Sequence, residues 1–525
     1  MNPSLSYSVG KYLLLPSVIF VASLIFLSRV SFPKKRNLSP LWLWLVIVTY
    51  GVTFGSMSIL RYLSFHSSIF DLGLFDHSIW NIAYRGKFEY LASGHFSPVL
   101  LIYAYIYKVF PSPLILLLSQ TLAISVSALI LYFIAKEKLE GSYYAFLIVL
   151  IYLLYPPLEY NNLFDFHPDS FFIPLAFLAF YFLEKNNGLG FILSCTATLF
   201  LKEPLILATA MLGIFAIIVH KRYGVGSFIL ILSLVSFVLI TQVIMPQVSG
   251  GSYGGGFAGS FSYLGENTFE IIKNLLAHPW ILIKESLNVD KMGYLVFIFM
   301  PLMWIPLISP FALLSSLPAL VISLLSRLPN YYGIHHQYTA SVIPGLFISF
   351  VYALISVGKS HQTRRRERNP SRGNIIGPIL GAVFCVSLYY NIILSPSPLS
   401  LNFWKKDHHS LYYKESFIST TRDRILGKAI KEHIPSTGSV SSQNALNSAH
   451  LAHRDKFYPF PKGVGQVDYV VVDLKRPHYI IDKINKKEFK EALGEIEKAY
   501  QIVFSHDGIY IFQKQPLDGH RGEGS

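Results

Sequence analysis

Twelve apolar runs occupy most of the chain, and they constrain its fold more than any other feature. A helix needs about 20 apolar residues to cross a bilayer upright, and several of the runs are shorter than that. With 52% hydrophobic and only 14% charged residues, the pattern excludes an ordinary soluble protein and predicts a polytopic membrane protein of about twelve transmembrane helices. The runs cover residues 12–27, 41–60, 113–135, 143–155, 171–183, 191–201, 205–218, 227–244, 295–308, 311–325, 341–355 and 375–393.

The distribution of basic residues predicts how these helices are oriented. The net charge is +14, but the lysines and arginines concentrate in short loops between apolar runs, most densely over residues 359–372. Loops of this kind face the cytoplasm, so the pattern argues against a nucleic-acid partner. The first run lacks a cleavage site and ends at a basic stretch, residues 29–36. We therefore expect a cell-membrane protein with an extracytoplasmic N-terminus and an outer segment at residues 61–112.

Composition changes near residue 396, where charge rises and the apolar runs shorten to strand length. Val470, Val471 and Val472 are typical of a buried strand, which predicts a small soluble α/β domain on the outer side. The glycine-rich segment 249–257 is either a hinge for a lid or a plain flexible connection. The predicted organisation is a transmembrane domain over 1–395 with large outer loops at 61–112 and 246–292, an outer domain over 396–515, and a disordered tail over 516–525.

A short polar helix is predicted directly after the second apolar run. Ser67 or Ser68 can cap a helix that begins near Phe70. Arg85 supplies a basic last turn, and Gly86 follows it as a helix terminator. The sequence therefore predicts one helix of about four turns at the membrane boundary.

This helix carries the two candidate catalytic residues, Asp71 and Asp76. At about 100° per residue, their side chains project roughly 140° apart, so both cannot face one substrate. We expect Asp71, nearest the helix start, to be the reactive carboxylate, while Asp76 caps or orients. The alternative is that Asp71 is only a helix-start carboxylate stabilised by the helix dipole.

A second polar cluster follows the fourth apolar run. Asp165, His167 and Asp169 alternate along the chain, and a divalent cation such as Mg²⁺ or Mn²⁺ could use these ligand types. A single pattern of this kind is weakly specific. Asp169, which follows Pro168, also suits the acidic first turn of a helix.

Six further residues are candidates for contacts to a substrate or its phosphate. Lys202 either meets a phosphate or is neutralised by Glu203, and the histidines are either substrate contacts or interfacial residues. On the predicted topology all these polar residues lie at the outer ends of spans, where an unpaired charge is costly unless it is functional. The sequence thus predicts an outward-facing polar cavity. The six residues are His77, His95, Lys202, Glu203, His335 and His336.

The sequence FDLGLFDHSIW at residues 70–80, followed by GHFSP at 94–98, resembles a widespread family of prokaryotic polytopic membrane proteins of the domain-of-unknown-function type. The segments FHPD at 166–169, KE at 202–203 and LAHR at 451–454 are similar to that family too. The resemblance covers nearly the whole chain. One departure is His77, because the family usually has glutamine after the second aspartate.

That family is similar in layout to the glycosyltransferase-C superfamily. The resemblance implies a catalytic aspartate in the first large outer loop, a sugar donor linked to a polyprenyl phosphate in the bilayer, and a soluble outer domain. On this analogy Asp71 is the base and Lys202 stabilises the departing phosphate. Two other hypotheses remain open: a transporter of lipid or small solutes, for which we find no internal repeat, and a non-catalytic envelope protein.

Overall fold

The computed structural model describes residues 10–30, 32, 37–92, 94–248, 260–368, 375–405, 412–447, 450–454, 456–475 and 486–515. The predicted glycine-rich hinge at 249–257 lies outside these residues, as does the predicted disordered tail. The same holds for much of the basic stretch before residue 37.

Most of the described chain is helical, and six helices are long and apolar enough to cross a membrane. A seventh span results if the helices Ser142–Leu153 and Pro156–Leu163, bent by 54° at a short break, count as one. The six long helices confirm the multi-pass architecture. Several of the other predicted spans are helices too short to cross a bilayer upright, so the predicted count of about twelve spans is not confirmed. The six are Gly10–Leu27, Pro40–Leu63, Leu114–Lys138, Tyr223–Val248, Ile343–His361 and Ile376–Leu394; the shorter apolar helices are Gly188–Leu199, Glu203–Ile218 and Pro310–Leu325.

The remaining helices are shorter or less apolar than these. The α-helices are Leu74–Arg85, Leu100–Tyr107, Phe172–Glu184, Thr268–Ala277, Trp280–Ser286, Val289–Phe299, Leu401–Trp404, Thr421–His433, Asn444–Asn447 and Lys486–Ala499. The short 3₁₀ segments include Phe88–Ala92, Pro168–Phe171, Met300–Leu302, Ile305–Ile308, Pro329–Tyr332, Gln337–Thr339 and Lys414–Phe417.

The helices Glu203–Ile218 and Tyr223–Leu239 pack backbone to backbone at a pair of glycines. A Cβ atom on Gly213 would lie 2.8 Å from the carbonyl oxygen of Gly226 and 2.9 Å from the amide nitrogen of Leu230. Small residues permit this close approach, which dispersion forces and helix shape then stabilise. The contact fixes the direction of the helix that begins at Lys202, a candidate site residue.

A buried ion pair joins the last turn of the span Pro40–Leu63 to the loop after the bent helix pair. Arg61 Nη1 donates to Asp165 Oδ1 at 2.7 Å and to the carbonyl of Leu163 at 2.8 Å. Both charged side chains are almost fully buried. Since an unpaired buried charge is costly, this bridge holds the loop against the span.

The C-terminal region contains a five-stranded mixed sheet with strand order β2-β1-β3-β5-β4. Strand β3 is buried along its whole length, as the valine run predicts, so the small α/β region is confirmed. Strand β1 pairs parallel with both β2 and β3, whereas β5 pairs antiparallel with β3 and β4. The strands are β1 Val440–Ser442, β2 Phe457–Pro459, β3 Tyr469–Asp473, β4 Tyr500–His506 and β5 Ile509–Lys514.

Gly213→Ala should destabilise the protein, because the added methyl group meets backbone atoms that cannot move aside alone. The expected cost is about 1–3 kcal/mol, typical of overpacking. Gly224→Ala is the matched control, since a Cβ there meets nothing within 4 Å and alanine favours helix. Thermal unfolding in detergent measures both, and equal midpoints would contradict the close packing.

Arg61→Met should cost about 3–5 kcal/mol, because it leaves the Asp165 carboxylate buried without its cation. Arg61→Met combined with Asp165→Leu should recover much of this loss. The control is Arg424→Met at an exposed position of the outer domain. Thermal unfolding of Arg61→Met, Asp165→Leu, the double variant and the control tests the coupling, and additive losses from the two single substitutions would argue against it.

Candidate functional site

The helix that bears Asp71 forms as the sequence predicts. Ser68 caps it, a single π turn covers Ile69–Gly73, and the α-helix continues over Leu74–Arg85. Gly86 follows in the left-handed conformation, with φ of 65°, which a glycine adopts at no steric cost. The π turn was not predicted; such turns are rare and occur frequently at functional sites.

The first backbone amides of this helix are satisfied by three different parts of the chain. The Ser68 amide donates to Asp165 Oδ2 at 2.7 Å, and the Phe70 amide donates to the Ser68 hydroxyl at 3.1 Å. Between them, the Ile69 amide donates to Oδ1 of Asn444, a residue of the outer domain, at 2.7 Å. Because the first amides of a helix have no partner within it, these contacts fix where the helix begins.

Asp71 meets His167 across the site. Its Oδ1 lies 3.2 Å from His167 Nε2, and the aspartate side chain remains 19% exposed while the histidine is buried. Burial raises the pKa of Asp71, but the hydrogen bond and charge of His167, with help from Ser68, outweigh it and hold the pKa below its usual value. The carboxylate is therefore ionised at neutral pH and accessible.

His336 faces the same pair. Burial, followed by the neighbouring His335, lowers the pKa of His336 to about 4 although Asp71 opposes the shift, so its ring is neutral at physiological pH. Its ring packs edge-on against Phe164 at 4.7 Å. His335, by contrast, is exposed and touches the ring of Tyr160. The structure thus brings His336 to Asp71 and leaves His335 outside.

Gln120, in the membrane span Leu114–Lys138, fixes the loop that carries His167. Its Nε2 donates to the carbonyl of Asp165 at 2.6 Å, and its Oε1 accepts from the amide of His167 at 2.8 Å. The same Nε2 also lies near the carbonyls of Asn161 and Asn162. Sequence reasoning missed this residue; a polar amide inside an otherwise apolar run was the available signal.

Lys202 lines a second part of the site, a small cavity with several polar side chains in its lining. Its ammonium group lies 3.3 Å from Asp169 Oδ2, and both side chains are buried. Glu203 instead accepts from the Phe96 amide and contacts His95 Nδ1 at 2.6 Å. The cavity therefore contains a cation, a carboxylate and two aromatic side chains; its lining includes His95, Asp169, Lys202, Ser341, Tyr331 and Tyr338.

Tyr338 lines the cavity that contains Lys202. Burial raises the pKa of its phenol, and so do Tyr331 and the carboxylates of Asp169 and Asp71. Tyr338 therefore lies within electrostatic reach of both aspartates.

The structure does not gather the predicted metal ligands. Asp165 pairs with Arg61, His167 contacts Asp71, and Asp169 pairs with Lys202. Among the described residues, no group of three or more His, Cys, Asp or Glu side chains is placed to hold a metal ion. As arranged, Asp165, His167 and Asp169 do not fit a divalent cation.

Asp76 and His77 face away from Asp71, as the helical angle between the two aspartates predicts. Asp76 is fully buried, where its Oδ1 accepts from the Tyr107 hydroxyl at 2.6 Å and lies 2.9 Å from His453 Nε2. His77 Nδ1 lies 2.7 Å from the carbonyl of Ala452. Both residues therefore contact the C-terminal α/β region, and neither lines the cavity that contains Lys202.

An apolar cavity adjoins the cavity that contains Lys202. Pro204 and Ile322 belong to the lining of both, so the two cavities share a wall. The rest of the apolar lining is almost entirely hydrocarbon, from side chains such as Leu207, Phe237 and Ile271. The cavity that contains the buried Lys202 thus lies beside a cavity lined by hydrocarbon.

Comparison with known proteins gives structural matches but no curated relative: no curated protein matches the sequence. The chain is similar to the crystal structure of ArnT from Cupriavidus metallidurans bound to undecaprenyl phosphate, with TM-score 0.49 and 11% identity over 90% of this chain and 98% of that one. The apo structure of the same protein gives TM-score 0.46 and 12% identity over 89% and 97%.

The family resemblance read from the motif at residues 70–80 is confirmed by a match to a family model. That model is described as a predicted membrane protein, DUF2079, and it matches residues 61–511. The matched range includes every candidate site residue and most of the outer domain. The chain therefore belongs to the DUF2079 family of membrane proteins.

Proposed function

We propose that this protein is a membrane glycosyltransferase that takes a sugar from a polyprenyl-phosphate-linked donor and transfers it to an acceptor hydroxyl at the outer face of the membrane. The acceptor and the sugar remain to be identified. In this proposal Asp71 accepts the proton of the acceptor hydroxyl, and Lys202 stabilises the phosphate of the donor.

The wall shared by the two cavities is the observation that supports the proposal most. A ligand that fills both chambers has an anionic or polar head near Lys202 and a long hydrocarbon tail beyond Pro204 and Ile322. A lipid phosphate has this shape and charge. Lys202 is only 3% exposed, so its attraction for a phosphate is weakly screened by water.

Asp71 is suited to the acceptor side because it is ionised and partly exposed. The acceptor oxygen attacks the anomeric carbon of the sugar, and the bond between that carbon and the phosphate oxygen breaks. The hydroxyl proton passes to the Asp71 carboxylate, and the polyprenyl phosphate leaves as an anion beside Lys202. Because the pKa of Asp71 is low, the carboxylate is a weak base that mainly orients the hydroxyl until proton transfer late in the step.

The outer-face location rests on the basic loops and remains part of the proposal. It places the N-terminus and the C-terminal α/β domain outside the cytoplasm, together with the loops 61–112 and 246–292. A divalent cation such as Mg²⁺ or Mn²⁺ likewise stays a prediction, and Lys202 supplies the positive charge that the leaving phosphate needs.

Asp71→Asn should remove the transferase activity, because an amide cannot accept the proton; loss of a positioned base costs about 10²- to 10⁴-fold in rate. We would complement a deletion strain with each variant and measure polyprenyl-linked sugars and envelope glycans by mass spectrometry. The donor should accumulate and its glycan product should disappear. Glu89→Gln, at an exposed acid of the same outer segment, is the matched control.

Wild-type glycans in a strain with normally folded Asp71→Asn protein would refute the proposal. A transporter gives a different result, since it moves a lipid or solute across the membrane without forming a new glycosidic bond. An envelope protein without catalysis should tolerate alanine at Asp71, His167 and Lys202 but not in the outer domain.

Ile322→Trp should weaken binding of polyprenyl phosphate. Because Ile322 lines both cavities, the larger side chain would occupy the space that the lipid needs to extend from one cavity into the other. Lys202→Met should weaken it by about 10- to 100-fold through loss of a charge-assisted hydrogen bond. Native mass spectrometry with polyprenyl phosphate measures both. Val235→Trp, on an exposed apolar helix face, controls for bulk, and Lys185→Met at an exposed lysine controls for charge.

Unchanged polyprenyl phosphate binding in both variants would show that the lipid does not occupy these cavities. Ile322→Trp leaves the pair of Lys202 and Asp169 intact, so it tests the site even if Lys202→Met lowers stability.

A further inference from the structure

We infer that Asn444 is a positioning residue for Asp71, so that the outer domain completes the active site by holding the start of the Asp71 helix. This inference rests on the proposed function for the role of Asp71. The contact itself comes from the geometry of three neighbouring residues: Ser68, Ile69 and Asn444.

The side-chain oxygen of Asn444 accepts two hydrogen bonds from the turn that carries Asp71. One comes from the Ile69 amide at 2.7 Å and the other from the Ser68 hydroxyl at 3.2 Å. The backbone amide can only donate, so the accepting atom of Asn444 must be its oxygen. Asn444 therefore supplies the acceptor that the second amide of this helix lacks within the chain around it.

Ser68 relays the effect to Asp71. Its hydroxyl hydrogen-bonds Asp71, which helps to lower the pKa of that carboxylate. A hydroxyl has one proton, which it can donate to Asn444 or to Asp71 but not to both at once. The position of Asn444 thus influences both the backbone beneath Asp71 and the hydrogen bonding of its carboxylate.

Other residues that follow Asn444 in the chain contact residues before and after the π turn. The ring of His450 stacks between Tyr62 and Phe65, with centroid distances of 4.2 and 4.1 Å. Further along, His453 lies against Asp76 and stacks over Trp80 at 5.8 Å. These contacts begin before the π turn and end about three helical turns later. The contact of Asn444 lies at the π turn itself.

The contact adds a long-range cap at the Ile69 amide to the local cap that Ser68 provides at the Phe70 amide. Ser68 and Asn444 are 376 positions apart in the sequence. A helix start that depends on so distant an acceptor is ordered only while the outer domain is docked. Without it, the Ile69 amide would be buried without a partner, and the turn would open.

Hydrogen–deuterium exchange on the full-length protein in lipid nanodiscs tests this inference. Asn444→Ala should raise exchange of the amides at residues 69–72 by about tenfold, because one protecting hydrogen bond is lost. Asn444→Asp keeps an acceptor oxygen and should restore protection. Asn288→Ala is the matched control, since Asn288 caps the exposed start of another helix by accepting from the Asp290 amide at 2.8 Å.

The same variants are then compared in the complemented deletion strain. Asn444→Ala should reduce the glycan product toward the Asp71→Asn level, should add nothing in the Asp71→Asn background, and should be rescued at least in part by Asn444→Asp. Exchange at 69–72 within twofold of wild type in Asn444→Ala would overturn the positioning role, whatever the glycan result. If that exchange rises but Asp71→Asn leaves the glycans unchanged, the proposed function fails and the catalytic meaning of Asn444 fails with it.

Discussion

A charge that is removed from water needs an opposite charge beside it, and the candidate site is built from pairs that meet this requirement. Arg61 neutralises Asp165, His167 contacts Asp71, Lys202 neutralises Asp169, and His95 contacts Glu203. Three of the four pairs join segments about a hundred positions apart, and the fourth joins residues 33 positions apart. The pairs therefore define which loops meet at the membrane boundary.

The partners within these pairs also decide what each carboxylate can do. Asp165 is sealed between a guanidinium group and a backbone amide, so it serves the architecture. Asp71 instead contacts His167 and Ser68, with His336 nearby, and keeps part of its surface exposed. Lys202 lies 3.3 Å from Asp169, a loose contact that, under the proposed function, an incoming phosphate would share. Under that proposal, one carboxylate has a structural role and another has a chemical one.

Local patterns in the sequence predicted the helix from Ser68 to Gly86, the opposed directions of Asp71 and Asp76, and the valine-rich strand of the outer domain. These features depend on neighbours in the chain, namely caps, helical angles and runs of apolar residues. The predicted metal ligands Asp165, His167 and Asp169 were grouped by spacing alone, and in the structure each contacts a different partner. The predicted count of about twelve spans is not confirmed, because several of the apolar runs form helices of 12 to 16 residues, which are too short to cross a bilayer upright.

The structural roles of Gln120 and Asn444 were not predicted from the sequence. Each is a single amide whose role depends on a partner far away in the chain, and neither belongs to a recognisable motif. Strand β2 was missed for a related reason, since its three residues end in Pro459 and are defined as a strand only by pairing with β1.

Under the proposed function, the wall that Pro204 and Ile322 form between the two cavities affects which polyprenyl phosphates the enzyme accepts. The hydrocarbon chamber is small compared with a long isoprenoid chain, so it would enclose only the units next to the phosphate. The remainder of the chain would extend among the surrounding lipids and make no contact with the protein. Such an enzyme would discriminate carriers by the shape of the first isoprene units and would be indifferent to their total length.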